Sequence, residues 1–142
     1  MANETDAWLE HLLKHVGGVA GTVHVREGDG LRLLSSVNIP DFVRKTVEYV
    51  PNGKGMAGIA LDTGKPVQTC NLKDDTSGNV RPGAKAVNAK AAVAMPVRDG
   101  SGSIVAVVGV AFNDERELPE QEVMELMEAA TPVIGLVHPR TT

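Results

Sequence analysis

The chain predicts an α+β domain built on a largely antiparallel sheet, and three observations carry that prediction. Apolar residues recur at helical spacing near both ends, at Trp8, Leu9, Leu12, Leu13 and Val16 and again from Val123 to Val137. Between them, strand-like runs come in pairs around short glycine turns, 21–27 with 31–38 and 89–99 with 103–113. No repeated strand–helix–strand units exist to build a parallel sheet.

Taken in order, Thr5 can cap a first helix over 6–16, stopped by Gly17 and Gly18. GTVHVRE (21–27) follows as a strand with Val23 and Val25 on one face and Thr22, His24 and Arg26 on the other. Glu27 to Gly30 turns the chain into LRLLSSVN (31–38). DFVRKTVEYV (41–50) has Phe42, Val43, Thr46, Val47 and Val50 at helical spacing and ends at Pro51, so it is expected to be a short helix. MAGIALDTG suits a two-turn helix with Gly64 as its stop. KPVQTCN (65–71) reads as a short strand, and residues 72–90, polar and without a period, as a long loop of the kind that is functional inside compact domains. The run 103–113 is apolar almost throughout, as expected of a strand buried on both faces at the sheet centre. Pro96 in its hairpin partner predicts an edge, a bulge or a ligand-facing break. The last helix starts at Pro119 with Glu117, Glu120 and Glu122 about its positive end, and Pro132 should kink it.

Composition narrows the function. At 142 residues one domain spanning 1–142 is expected, able to bury about 68–70% of its unfolded surface. A net charge of −4 argues against nucleic acid as a partner. No apolar run reaches membrane-spanning length, and the start of the chain has neither the basic lead nor the cleavage site of a secretory signal. One cysteine, Cys70, allows no internal disulfide, so a reducing, cytoplasmic setting is expected. With four aromatic residues (Trp8, Phe42, Tyr49 and Phe112), a ligand that needs ring stacking finds few platforms.

GKGMAG (53–58) matches the G-x-G-x-x-G spacing of a dinucleotide loop, with Asp74 and Asp75 downstream where a ribose-binding acid would sit. The context is wrong for that use: a helix-like segment closed by Pro51 precedes it and only a short helix follows. The glycines are therefore expected to serve geometry, with Gly53 and Gly55 in a turn and Gly58 letting a short helix approach the sheet closely.

Those residues also carry a resemblance. Gly53-x-Gly55-x-x-Gly58-x-Ala60, then Gly64-x-Pro66-Val67, Ala94-Met95-Pro96-Val97 before a glycine turn, and the strand Val105 to Phe112 resemble, in order and spacing, a GAF domain over about residues 5–137. The resemblance implies a GAF/PAS-like five- to six-stranded antiparallel sheet, with the terminal helices on one face and a pocket under loops and short helices on the other. It also implies a ligand between the sheet and residues 67–92, which makes Met56, Cys70, Asn71, Asp74, Arg81, Lys90 and Met95 candidate ligand-binding residues. A family of sensory modules further implies a small-molecule ligand and signalling through the terminal helices to a partner; with one face of the last helix on the sheet, Met124, Leu136 or both are left exposed, and a homodimer through the first and last helices is expected to bury them, a signalling protein being the other outlet.

The chemistry of the pocket stays open at this level. Lys73, Arg81, Lys85 and Lys90 accumulate in the long loop; as a pocket rim they would favour a small polar, anionic ligand, and otherwise they are solubilising side chains. Some GAF proteins of this size resemble free methionine-(R)-sulfoxide reductases; that enzyme reading would use Cys70 with an external thiol, against the plainer reading of a small apolar side chain in a strand. Cys70, Asp74 and Asp75 could offer iron ligands, and His11 and His15 stand one helical turn apart, but neither set is complete, so no metal or cofactor is assigned. Phe112-Asn113-Asp114-Glu115 lacks the gap of the N-K…F-x-x-x-D-E signature of cyclic-nucleotide-binding members. His24, on the face opposite Val23 and Val25, could be a pocket group, a haem or iron ligand or a plain surface histidine, and the surface position is the expected one.

Overall fold

The computed structural model describes residues 4–69 and 90–137. Helix α1 (Glu4–Val16) leads into strands β1 (Ala20–Glu27) and β2 (Gly30–Val37), then helix α2 (Asp41–Thr46), strand β3 (Tyr49–Pro51), helix α3 (Gly55–Thr63) and strand β4 (Val67–Thr69). Strands β5 (Ala91–Arg98) and β6 (Ile104–Phe112) and helix α4 (Glu120–Ala130) follow. The strands form one six-stranded sheet in the order β3-β2-β1-β6-β5-β4, and every neighbouring pair is antiparallel.

The period-two alternation of the strands divides the interior into two layers. On one side Val23, Val25, Val93, Met95, Val108 and Phe112 meet Leu9, Leu12 and Leu13 of α1 and Val123, Leu126 and Ala130 of α4. That is the expected place for the apolar stripes of the terminal helices. The Ser35 hydroxyl donates to the Asp6 carboxylate on this side and ties α1 to β2. On the other side, α2 and α3 cover the sheet, with Leu31, Val50, Leu61, Ile104 and Val107 packed solidly at one end. β6 occupies the centre, and eight of its nine residues are buried.

Three details differ from the sequence expectation. Thr5 is a buried residue inside α1 rather than its cap. The expected helix 41–50 stops at Thr46, and Tyr49–Pro51 pairs with β2, Leu31 facing Val50. Phe42 is 61% exposed while Val50 is 2% exposed, so the helical spacing across this segment describes no buried stripe. β2 offers an unpaired edge there, and pairing with it supplies partners for backbone groups that a frayed helix end would leave open. The third is the final helix, which tightens into a 3₁₀ turn at Thr131–Gly135 around Pro132 instead of bending as one rod. Pro96 lies two residues past the last pairing of β5 with β4 (Val67 with Ala94), where β5 keeps only β6 as its described neighbour, in line with the edge reading.

Candidate ligand-binding site

A cavity of about 140 Å³ opens between the sheet and α2–α3. Its floor follows from three strands in register. Ala20 on β1, Ala111 on β6 and Ala92 on β5 stand side by side in one transverse row, and Thr22, Gly109 and Ala94 form the next. The third row is His24, Val107 and Pro96. The helix side of the same strands is mostly Val, Met and Phe, with Gly21, Ala91 and Ala106 among them, whereas the first two rows here are Ala, Gly and Thr throughout. The small rows leave the volume unfilled, and bulky residues close it from the Val107 end. The roof comes from Ile39, Val43 and Val47, with Val50, Met56 and Ala57 at the side.

Nearly all of this lining is apolar. Thr22, His24 and Lys54 are the polar side chains on it among the described residues, and Lys54 is exposed at the mouth. His24 is 2% exposed, which corrects the expectation of a surface histidine. It points to the cavity side of β1, and α2 covers it: Nε2–H donates to the Val47 carbonyl oxygen at 2.9 Å. Because a carbonyl only accepts, this bond places the proton on Nε2 and leaves the lone pair on Nδ1. That Nδ1 is buried and has no hydrogen-bond partner among the described residues. Burial pushes the imidazole below its ordinary pKa of 6.5, against a smaller upward pull from the Val47 bond.

The sign of the resulting pH dependence is fixed. With the folded pKa below 6.5, the unfolded chain binds more protons in the interval between them. The contribution of the neutral imidazole is therefore complete above about pH 6.5 and is lost as pH falls below it toward the folded value. Urea midpoints measured from about pH 8 down to about pH 5 should decline over the acid half of that range, and the decline should shrink in His24→Gln. An unchanged profile in the variant would remove His24 as its source. Lys54 is the other ionisable side chain lining the cavity among the described residues.

Of the other candidates, Met56 lines the cavity, on α3. Met95 does not: it is fully buried on the α1–α4 side, one strand position out of phase with Ala92 and Ala94. Lys90 is exposed just before β5 and is not part of the lining. Cys70, Asn71, Asp74 and Arg81, together with Asp75, Lys73 and Lys85, lie outside the described residues. His11 and His15 are exposed, and no group of three or more metal-ligating side chains gathers among the described residues. No helix there is long and apolar enough to cross a membrane.

The glycine motif has the geometric role its context suggested. Gly53 in the turn before α3 and Gly55 at its first residue adopt positive φ, 81° and 66°. The turn is closed by Gly53 N–H donating to the Gly58 carbonyl at 2.9 Å.

Comparison with known proteins agrees with this geometry. No curated protein sequence matches the chain significantly. The fold is similar to the type II free methionine-R-sulfoxide reductase from Thermoplasma acidophilum, at 17% identity and a TM-score of 0.76, over 95% of this chain and 90% of that one. It is also similar to the nlh2 GAF domain of A. aeolicus in an inactive state, at 22% identity and a TM-score of 0.60, over 90% of this chain and 76% of that one. The GAF domain from an Acinetobacter phosphoenolpyruvate-protein phosphotransferase aligns at 12% identity and a TM-score of 0.65, over 96% and 93% of the two chains. A GAF domain family model matches residues 5–134, and on that match this chain belongs to the GAF domain family.

Proposed function

We propose that this GAF domain is a sensory module that holds a small molecule in the cavity above the Ala20–Ala111–Ala92 and Thr22–Gly109–Ala94 rows. Its occupancy is passed on through α1 and α4, to a second copy or a signalling partner. The carrying observation is the cavity itself, about 140 Å³ in a fold whose opposite layer is fully packed. The cavity has a mouth, so its apolar walls are open to water, and a fitting guest removes that surface from water. The described walls suit an apolar body. Of the basic residues that would favour an anion, Lys54 stands at the mouth, Lys90 is exposed off the lining, and Lys73, Arg81 and Lys85 lie outside the described residues. Met124 on α4 is 54% exposed and offers an apolar contact to a dimer mate.

Ala111→Leu tests the reading, because it adds three carbons to the floor without touching the helix side. It should raise stability by about 1 kcal/mol, as filled cavities commonly do. Native mass spectrometry of the variant should show a ligand retained by the wild type to be lost. Undiminished ligand retention in Ala111→Leu would place binding elsewhere. Thiol-dependent reduction of free methionine-R-sulfoxide that Cys70→Ser abolishes would make the protein an enzyme instead.

A further inference from the structure

We infer that the guest is an uncharged, mostly apolar molecule whose polar atom lies beside Gly109 and hydrogen-bonds the Thr22 hydroxyl, while its apolar body covers the alanine rows. This rests on the sensory reading of the cavity and adds a recognition point and the chemical class of the guest. Thr22 and Gly109 pair across β1 and β6, and both line the cavity. Chain neighbours aside, a Cβ on Gly109 would meet one atom within 4 Å, the Thr22 hydroxyl oxygen at 2.8 Å. The hydroxyl therefore leans over the glycine, and the space about that point is otherwise open. It makes no hydrogen bond among the described residues and, unlike Nδ1 of His24, it keeps open surface. His24, two residues on along the same face, is closed off: the Val47 carbonyl holds its Nε2–H and its Nδ1 is buried. Lys54 is exposed at the mouth. Among the described residues, Thr22 is thus the one hydrogen-bonding side chain that the floor offers a guest.

That arrangement sets the chemistry. A hydrocarbon would cover the hydroxyl and leave it without a partner, at the cost of an unmade hydrogen bond. A charged group would give up its hydration for a single hydroxyl among alanines. A hydroxyl both donates and accepts, so an alcohol, a phenol, a ketone or an amide satisfies it. With no Cβ on Gly109, the flank of the hydroxyl is left to the guest. The enclosed part is about one ring in size, because about 140 Å³ is close to the volume of engineered apolar cavities which take up benzene.

Phenol and toluene are the probes, alike in shape and differing in the hydroxyl, with benzoate as the charged third. Thr22→Val keeps the shape of the side chain and removes its hydroxyl. In calorimetric titrations of the full chain near neutral pH, that change should weaken phenol binding by about tenfold and leave toluene binding unchanged or tighter. Thr22→Ser, which restores the hydroxyl, should hold phenol within about threefold of the wild type. The wild type should bind benzoate more weakly than phenol. Should Thr22→Val not fold, the wild type answers by itself, since nuclear Overhauser contacts should join the phenol ring to the Thr22 methyl. Phenol and toluene responding alike to Thr22→Val, benzoate outbinding phenol, or phenol bound without contact to that methyl would overturn the inference while leaving the cavity as a binding site. Binding of none of the three would bring down the sensory reading with it.

Discussion

Gly58→Ala should destabilise the protein by about 2 kcal/mol, opposite in sign to the usual effect of replacing a helical glycine. In an ordinary helix interior the change is worth about 1 kcal/mol in favour of alanine. Here a Cβ would stand 2.5 Å from the Pro51 carbonyl oxygen, 3.2 Å from the Gly53 nitrogen and 3.3 Å from a Val50 methyl. Two of those atoms are backbone, and the Gly58 carbonyl itself closes the turn they belong to. Relief therefore means lifting α3 or opening the turn, and overpacking of that kind costs about 1–3 kcal/mol or more. Gly109→Ala is the control. Its Cβ would meet only the Thr22 hydroxyl, at 2.8 Å, a side chain that can rotate, beside open cavity. That variant should stay within about 1 kcal/mol of the wild type. Urea midpoints of the two variants decide the matter; a Gly58→Ala protein as stable as the wild type would mean that the close approach of α3 is not what Gly58 provides.

Much of this architecture was legible in residue patterns. Val23 and Val25 against Thr22 and His24 gave the two faces of β1, and the unbroken apolar run of β6 marked the centre of the sheet. Gly64 ends α3 as expected. Legibility failed where a distant partner decides. Val47 and Val50 fit a helical stripe, and only the open edge of β2, formed earlier in the chain, draws Val50 into a strand. His24 carries no local sign of burial, because its roof is the carbonyl of Val47, 23 residues away. Met95 is a different case: counting by twos from Val93 places it on the packed layer. The cavity too left a trace, in small residues at every second position of three strands (20 and 22, 92 and 94, 109 and 111), though their register across the sheet is visible only in the fold.

That two-sided floor leads to the other large effect. Phe112→Ala should cost about 3–5 kcal/mol, whereas a leucine at the preceding residue should stabilise. The two positions are adjacent on β6 and differ only in the face they present. Phe112 is 1% exposed within the α1–α4 layer, and the Arg116 guanidinium lies over its ring at 4.2 Å from the centroid. Deleting the ring leaves a void in a layer already packed by leucines and valines and removes the platform under Arg116. Ala111 instead lines the cavity, where added carbons extend into unfilled volume and gain contacts. Paired denaturation curves for Phe112→Ala and Ala111→Leu therefore read out the asymmetry of the sheet directly. Destabilisation of similar size in both would show the lid side to be as full as the helix side, and a sheet packed alike on both faces would have no room for a guest.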